Sequence, residues 1–299
     1  MNTSSLQNDF LTFLGYCLSP DSQALPECAA RICWAHLLQF AKKQSVVGVY
    51  WQGVKRMSVL ETNRPSEDDV MDWMGAYTKI VRRNVKTDDA VAKLTKIMRD
   101  NGIAFFVFKG QVIASYYPSP EMRTSGDVDF YVFRKDWGRA KSLLEKDVTM
   151  TDDHSDFLKE GIALRQFIDW MMFFEAKHKE IVLPELTAKL DKLGLLSAFK
   201  AFGAVLTEVL GMDAACLPYS LTESDKHYVD KIMTIVLRYG NFGKYGRKEQ
   251  QGGWKHSVET GMRAVRHITQ FFWLSPAENL LWIPKLICRS LMKNAIHSN

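Results

Sequence analysis

The chain is short of the residues that staple small folds. Its five cysteines among 299 residues, Cys17, Cys28, Cys33, Cys216 and Cys288, are odd in number and have neither C-x-x-C spacing nor histidines at zinc-ligand spacing. Neither a disulfide framework nor a zinc finger is expected, and reduced, buried thiols are. No apolar run reaches the roughly 18–20 residues that cross a bilayer, and the opening MNTSSLQNDF lacks the basic-then-apolar order of a secretory leader. The expectation is a soluble, cytoplasmic protein. A dominant charge is missing too: 39 basic residues stand against 34 acidic ones, a net +5 that is well mixed along the chain. That excess is mild and makes no strong nucleic-acid signature. The histidines are scattered, with no H-E-x-x-H and no nucleophile elbow, which leaves protease and hydrolase chemistry without support.

What is present is ordinary globular composition, 46% hydrophobic and 24% charged, which excludes intrinsic disorder and a coiled coil. The length suits one large domain or two modest ones. Apolar groups recur at three- and four-residue spacing from Leu6 to Met57, interrupted at Pro20 and Pro26, and predict at least two helices. SVLETNRPSEDD reads as a loop before a long helix over residues 68–99, which Asn101-Gly102 stops.

The pattern then turns extended. IAFFVF, residues 103–108, is a continuous apolar run and predicts a strand buried on both faces. GDVDFYV alternates, with Val128, Phe130 and Val132 on one face and Asp127, Asp129 and Tyr131 on the other. VIASYY between them predicts a short helix, and KDWGRAKSLLEK another after the second strand. Helix is expected again beyond His154. GIALRQFIDWMMFF carries Leu164, Phe167, Ile168 and Met171 on one stripe, with Arg165 and Asp169 one turn apart on another. Thr222 with Asp225 predicts a cap opening a helix to about Tyr239, and Ser275-Pro276 with Glu278 opens a last one. Three regions follow: a helical 1–100, an αβ core over 101–150 and a helical 151–299.

The residues that can carry chemistry lie in FKGQVIASYYPSPEMRTSGDVDFYV, residues 108–132. Period-two geometry puts Asp127 and Asp129 on one face of a strand. Two carboxylates so placed repel unless a cation lies between them, and Mg²⁺ takes one or two protein carboxylates while keeping positions for water and phosphate oxygens. Lys109-Gly110-Gln111 closes a strand and opens a helix, so backbone N–H groups and a cation can meet a phosphate. Arg123 and Ser125 add donors, and Gly126 supplies a turn before the carboxylates. The plainer reading of an Asp-x-Asp at a strand start is a solvated turn.

This segment resembles the DNA polymerase β-type nucleotidyltransferase superfamily, and more closely a bacterial family of uncharacterised nucleotidyltransferases in which Lys-Gly, Tyr-Pro, Arg and Gly-Asp-x-Asp recur in this order. QSVVGVYWQG, GIALRQFIDW and YGNFG also look like that family, so the resemblance covers most of the chain. It implies an α+β, predominantly helical fold around a small mixed sheet. It further implies Mg²⁺, with Mn²⁺ as its alternative, at Asp127 and Asp129, and an NTP held by Lys109, Gly110, Gln111, Arg123, Ser125 and Gly126. The implied reaction moves a nucleotidyl group to an acceptor hydroxyl on a small molecule, sugar, protein or RNA. The superfamily's third carboxylate has no fixed counterpart here: residues 147–157 are too short for further strands, and Asp152, Asp153 or Asp156 would have to serve. If none does, the alternative is a catalytically degenerate nucleotide-binding or protein-interaction module. The C-terminal helix, with Lys285, Arg289 and Lys293 among apolar residues, suits packing on the helical body better than an anionic membrane surface.

Overall fold

The computed structural model describes residues 3–19, 24–144 and 162–240, with Thr269 and Phe272. They fall into two compact units, one within residues 1–154 and Ile168–Ala176, the other within residues 155–167 and 177–299.

The first unit begins with helices α1 (Thr3–Leu18), α2 (Trp34–Gln44), α3 (Val47–Met57) and α4 (Glu67–Asp100). Aromatic rings bind them together: Phe13 lies 5.8 Å from Trp34 and 6.3 Å from Tyr50, and Tyr50 lies 6.4 Å from Trp73. Their polar tips are satisfied inside this core. The Tyr50 hydroxyl donates to the Phe10 carbonyl at 2.7 Å, and the Trp73 indole N–H donates to the Trp34 carbonyl at 3.3 Å. The 34-residue α4 starts at a capping box that lies inside the stretch expected to be loop. The Asp69 N–H donates to Ser66 Oγ at 3.1 Å and the Ser66 N–H returns to the Asp69 carboxylate at 3.2 Å. Glu67, Asp68 and Asp69 in the first turn favour the positive end of the helix dipole. The helix stops at Asn101, where Gly102 takes φ 61°.

Strands β1 (Phe105–Phe108) and β2 (Asp129–Val132) follow, with the short helix α5 (Gly110–Ala114) and a 3-10 turn at Pro120–Met122 between them and α6 (Trp137–Leu144) after them. The strands pair antiparallel, Phe105 opposite Val132 and Phe108 opposite Asp129. The fold is thus the predominantly helical α+β one expected, and its small sheet is, among the described residues, a two-stranded antiparallel ribbon rather than a mixed sheet. Val128, Phe130 and Val132 face inward as the alternation predicts, and with Phe105 and Val107 they pack on Leu94 and Met98 of α4 and Ala140 and Leu144 of α6. The other face is open: Phe106 is 51% exposed. The expectation that β1 is buried on both faces fails because α4 and α6 cover one side of the ribbon only, which an unbroken apolar run does not report.

Helix α7 (Leu164–Lys177) buries Leu164, Phe167, Ile168 and Met171, the stripe read from its spacing. The second unit continues with α8 (Leu183–Lys192), α9 (Leu196–Glu208), α10 (Glu223–Lys226) and α11 (Val229–Tyr239). The Thr222–Asp225 capping box forms, but the helix it opens ends at Lys226 and a new one begins at Val229, so one expected helix is two. Tyr219 crosses α9 at Gly203, donating to the Phe199 carbonyl at 3.1 Å. The Gly-rich stretch 241–253 and the Ser275-Pro276 helix lie outside the described residues. Among the described cysteines Cys17 and Cys28 are buried, Cys33 is exposed, and none is in a disulfide. No helix of the described residues is long and apolar enough to cross a membrane.

One close approach joins the helical start of the chain to the ribbon's connection. Gly48 on α3 lies so near the Met122 backbone that a Cβ there would overlap the Met122 carbonyl. Neither backbone can yield cheaply, so Gly48→Ala is expected to lower stability by about 1–3 kcal/mol in urea denaturation. An unchanged midpoint would contradict this packing.

Candidate active site

The turn that leaves β1 is strained. Lys109 has φ 54° and ψ −137°, a region that costs an L residue on the order of 1–3 kcal/mol and that persists where surrounding structure holds it. Gly110 follows with φ 27°, and the position of a Cβ on it lies 3.6 Å from the Asp127 carbonyl oxygen. The turn therefore runs against the backbone that enters β2. Strand pairing sets Asp129 opposite Phe108, the residue before Lys109, and the Lys109 ammonium reaches Asp129 Oδ1 at 3.4 Å. The contact is open to water, with side chains 62% and 30% exposed. Asp127 sits in the bend just before β2, exposed, and its carboxylate has no hydrogen-bond partner among the described residues. Lys109, Gly110, Asp127 and Asp129 thus come together from the two ends of the connection.

Arg123 does different work. It is 5% exposed and grips Asp169 of α7 with two hydrogen bonds, Nε to Oδ1 at 2.7 Å and a terminal nitrogen to Oδ2 at 2.8 Å. The Tyr117 hydroxyl donates to the same Oδ1 at 2.8 Å. Burial alone would disfavour the charged guanidinium, but the Asp169 carboxylate outweighs it, with smaller help from Asp129, so Arg123 holds its proton more firmly than a free arginine. Asn84 of α4 fixes the backbone beside it. Its amide donates to the Arg123 carbonyl at 2.9 Å and accepts from the Ser125 N–H at 3.2 Å. Sequence reading set Asp169 beside Arg165, one helical turn away; the structure gives Asp169 two partners from far along the chain. It gave Tyr117 only as the tyrosine of the Tyr-Pro pair, without a role, and missed Asn84, whose only signal is a polar side chain on a long helix, which any partly exposed helix also shows.

Gln111 and Ser125 line a cavity of about 470 Å³ together with Tyr77, Asn84, Asp88 and Glu121. Ser125 is buried, and both polar atoms of the Gln111 amide are buried without a hydrogen-bond partner among the described residues. Burial first, then the Glu121 carboxylate, pushes the Tyr77 phenol up to about 12. Gly126 is exposed, with open space where a Cβ would stand. The eight residues read from sequence therefore divide: four meet at the mouth of the ribbon, Gln111 and Ser125 turn to the cavity, Arg123 is buried beneath, and Gly126 is at the surface. Among the described residues no three His, Cys, Asp or Glu side chains gather as a metal-binding group. Asp152, Asp153 and Asp156 lie outside the described residues.

Residues 30–154 match the model of a family described as uncharacterised nucleotidyltransferase. This stretch holds α2 to α6, the ribbon and all eight residues above. No curated protein and no solved structure matches the chain.

The buried pair makes a direct stability test. Asp169→Leu leaves the Arg123 guanidinium buried and uncompensated, a change that costs about 3–5 kcal/mol. Adding Arg123→Met is expected to restore most of the loss in chemical denaturation, because an apolar pair replaces an ion pair. A double variant as unstable as the single one would contradict this account.

Proposed function

We propose, on the premise that residues 30–154 belong to the uncharacterised nucleotidyltransferase family, that the protein transfers a nucleotidyl group from an NTP to an acceptor hydroxyl with Mg²⁺ at Asp127 and Asp129. The observation that carries this reading is the meeting of Lys109 and Gly110 with Asp127 and Asp129 at one end of the ribbon. The donor set fits the ion: two hard carboxylates, one exposed and one half-exposed, and among the described residues Asp129 makes no ion pair beyond a long 3.4 Å contact to Lys109. Mg²⁺ or Mn²⁺ bound there would neutralise phosphate charge and leave positions for phosphate oxygens and water.

The chain's own groups have distinct tasks. Lys109, exposed at the surface with its ammonium near Asp129 and the Phe108 ring, exchanges that carboxylate for a phosphate oxygen when the triphosphate arrives. Gly110, buried against the Asp127 carbonyl, keeps the turn close to the backbone that enters β2. Arg123 positions and does not touch substrate: tied to Asp169, it holds the 123–127 segment. The acceptor hydroxyl must surrender a proton, and the base would have to come from Asp152, Asp153 or Asp156, which lie outside the described residues. Without such a base the site binds nucleotide and turns it over slowly or not at all.

The test is calorimetric titration of Mg²⁺ with each NTP, followed by an assay of pyrophosphate release. Asp127→Asn/Asp129→Asn is expected to weaken Mg²⁺-NTP binding at least about tenfold, since it removes both anionic ligands of the cation and loss even of a ligand's supporting partner costs roughly 10–100-fold in metal affinity. Equal binding by the double variant would remove the assignment, and binding without release of pyrophosphate would favour the degenerate alternative. Strain at the turn gives a second test. Lys109→Gly relieves the positive φ and is expected to raise the Tm while weakening inorganic tripolyphosphate binding; a lower Tm, or unchanged affinity, would contradict the role given to Lys109.

A further inference from the structure

The open face of the ribbon is aromatic. Phe106 and Tyr131 stand opposite each other across the strands, rings 5.0 Å apart and inclined by 27°. Phe133, just past β2, meets Tyr131 edge-on at 5.5 Å, and Phe108 lies 6.1 Å from Phe106. Phe106, Tyr131 and Phe133 are 51%, 45% and 46% exposed. Their inward neighbours already supply the core under the ribbon, so the folded unit does not need these three rings on its surface. Large aromatics left in water forgo the stabilisation that covering them would bring.

Charge identifies the occupant. The same face that carries Phe106 and Tyr131 carries Asp129, two residues from Tyr131, and so about 7 Å along the strand. At that end the Lys109 ammonium lies 3.4 Å from Asp129 and 5.4 Å from the centre of the Phe108 ring. A lipid or an apolar helix would cover the rings but bury the carboxylate and ammonium without partners. A molecule with a flat π-system at one end and metal-bound phosphate at the other satisfies both, and the ribose of a nucleotide spans such a gap. We infer that Phe106, Tyr131 and Phe133 form the platform on which the nucleobase of the NTP stacks. This inference rests on the proposed function and names the part of the substrate that its carboxylates do not hold. Stacking reads a π-face and not a hydrogen-bonding edge, so the site accepts all bases and favours the larger purines.

The test compares Mg²⁺-ATP, Mg²⁺-CTP and Mg²⁺-tripolyphosphate by calorimetry. Wild type is expected to bind ATP more tightly than CTP, and CTP more tightly than tripolyphosphate. In Phe106→Leu/Tyr131→Leu, which keeps apolar surface but loses the π-faces, ATP affinity falls about tenfold, within the range of base–aromatic stacking, while tripolyphosphate affinity does not change. Tyr131→Trp in the wild-type background retains ATP binding. The platform is overturned if the leucine variant binds ATP as wild type does, or if it loses ATP and tripolyphosphate equally. It is also overturned if the variant changes only the oligomeric state in sedimentation, which would make the face a contact between copies of the chain. ATP binding that depends on the aromatic residues but not on Asp127 and Asp129 would keep the platform and sink the proposed metal site. Failure of wild type to bind either ligand would sink both.

Discussion

The ion pair between Arg123 and Asp169 anchors the part of the chain on which the candidate site depends. Between α5 and β2 the chain has no regular helix or strand beyond one 3-10 turn, so its backbone lacks the ladder that would otherwise position it. Arg123 fastens it at depth to Asp169, with Tyr117 as a third member, and Asn84 fastens the neighbouring backbone to α4. Gly48 and Met122 add a close backbone contact just upstream. Asp127 and Asp129 follow directly from that anchored stretch. A buried charge pair is a poor source of net stability but a demanding one in geometry, because each partner is costly to leave alone.

Against this fixed segment stands a turn held under strain. Lys109 keeps a backbone conformation that glycine would take without cost. The positive φ brings Gly110 against Asp127, and the ammonium extends to Asp129. An ionic contact as exposed as this one contributes little to folding, so it does not account for the strain. Replacement of Asp129 by a phosphate as the partner of Lys109 would. The aromatic face fits the same account: it begins at the cross-strand pair next to Asp129 and runs away from the charged end.

Local pattern carried much of this to the reader of the sequence. Alternation in GDVDFYV sorted Val128, Phe130 and Val132 inward and Asp129 with Tyr131 outward, since a strand has a single period and one covered face. The stop at Asn101-Gly102, the stripe of α7 and the Thr222–Asp225 cap are likewise settled within a few residues of chain. What could not be read is set by distance. Asp169 and Arg123 are 46 residues apart, and neither residue's neighbours distinguish a buried partner from a surface one. The open face of β1 eluded reading for a related reason: an apolar run is the same whether one side or both are covered. Gln111 was read with the phosphate turn because it follows Gly110, yet a short helix sends successive side chains in different directions, and Gln111 lines the cavity.

The central claim is that the mouth of the ribbon is a divalent-cation and triphosphate site. Crystals soaked with Mn²⁺ and a non-hydrolysable NTP test it most directly, by the position of the anomalous scattering peak. The account predicts a peak bound by oxygens of both Asp127 and Asp129 at about 2.0–2.3 Å, close to the distances that hard cations take to carboxylates, with triphosphate density beside Lys109. A nucleotide-associated peak elsewhere, or triphosphate bound with neither carboxylate in contact with the ion, would contradict it.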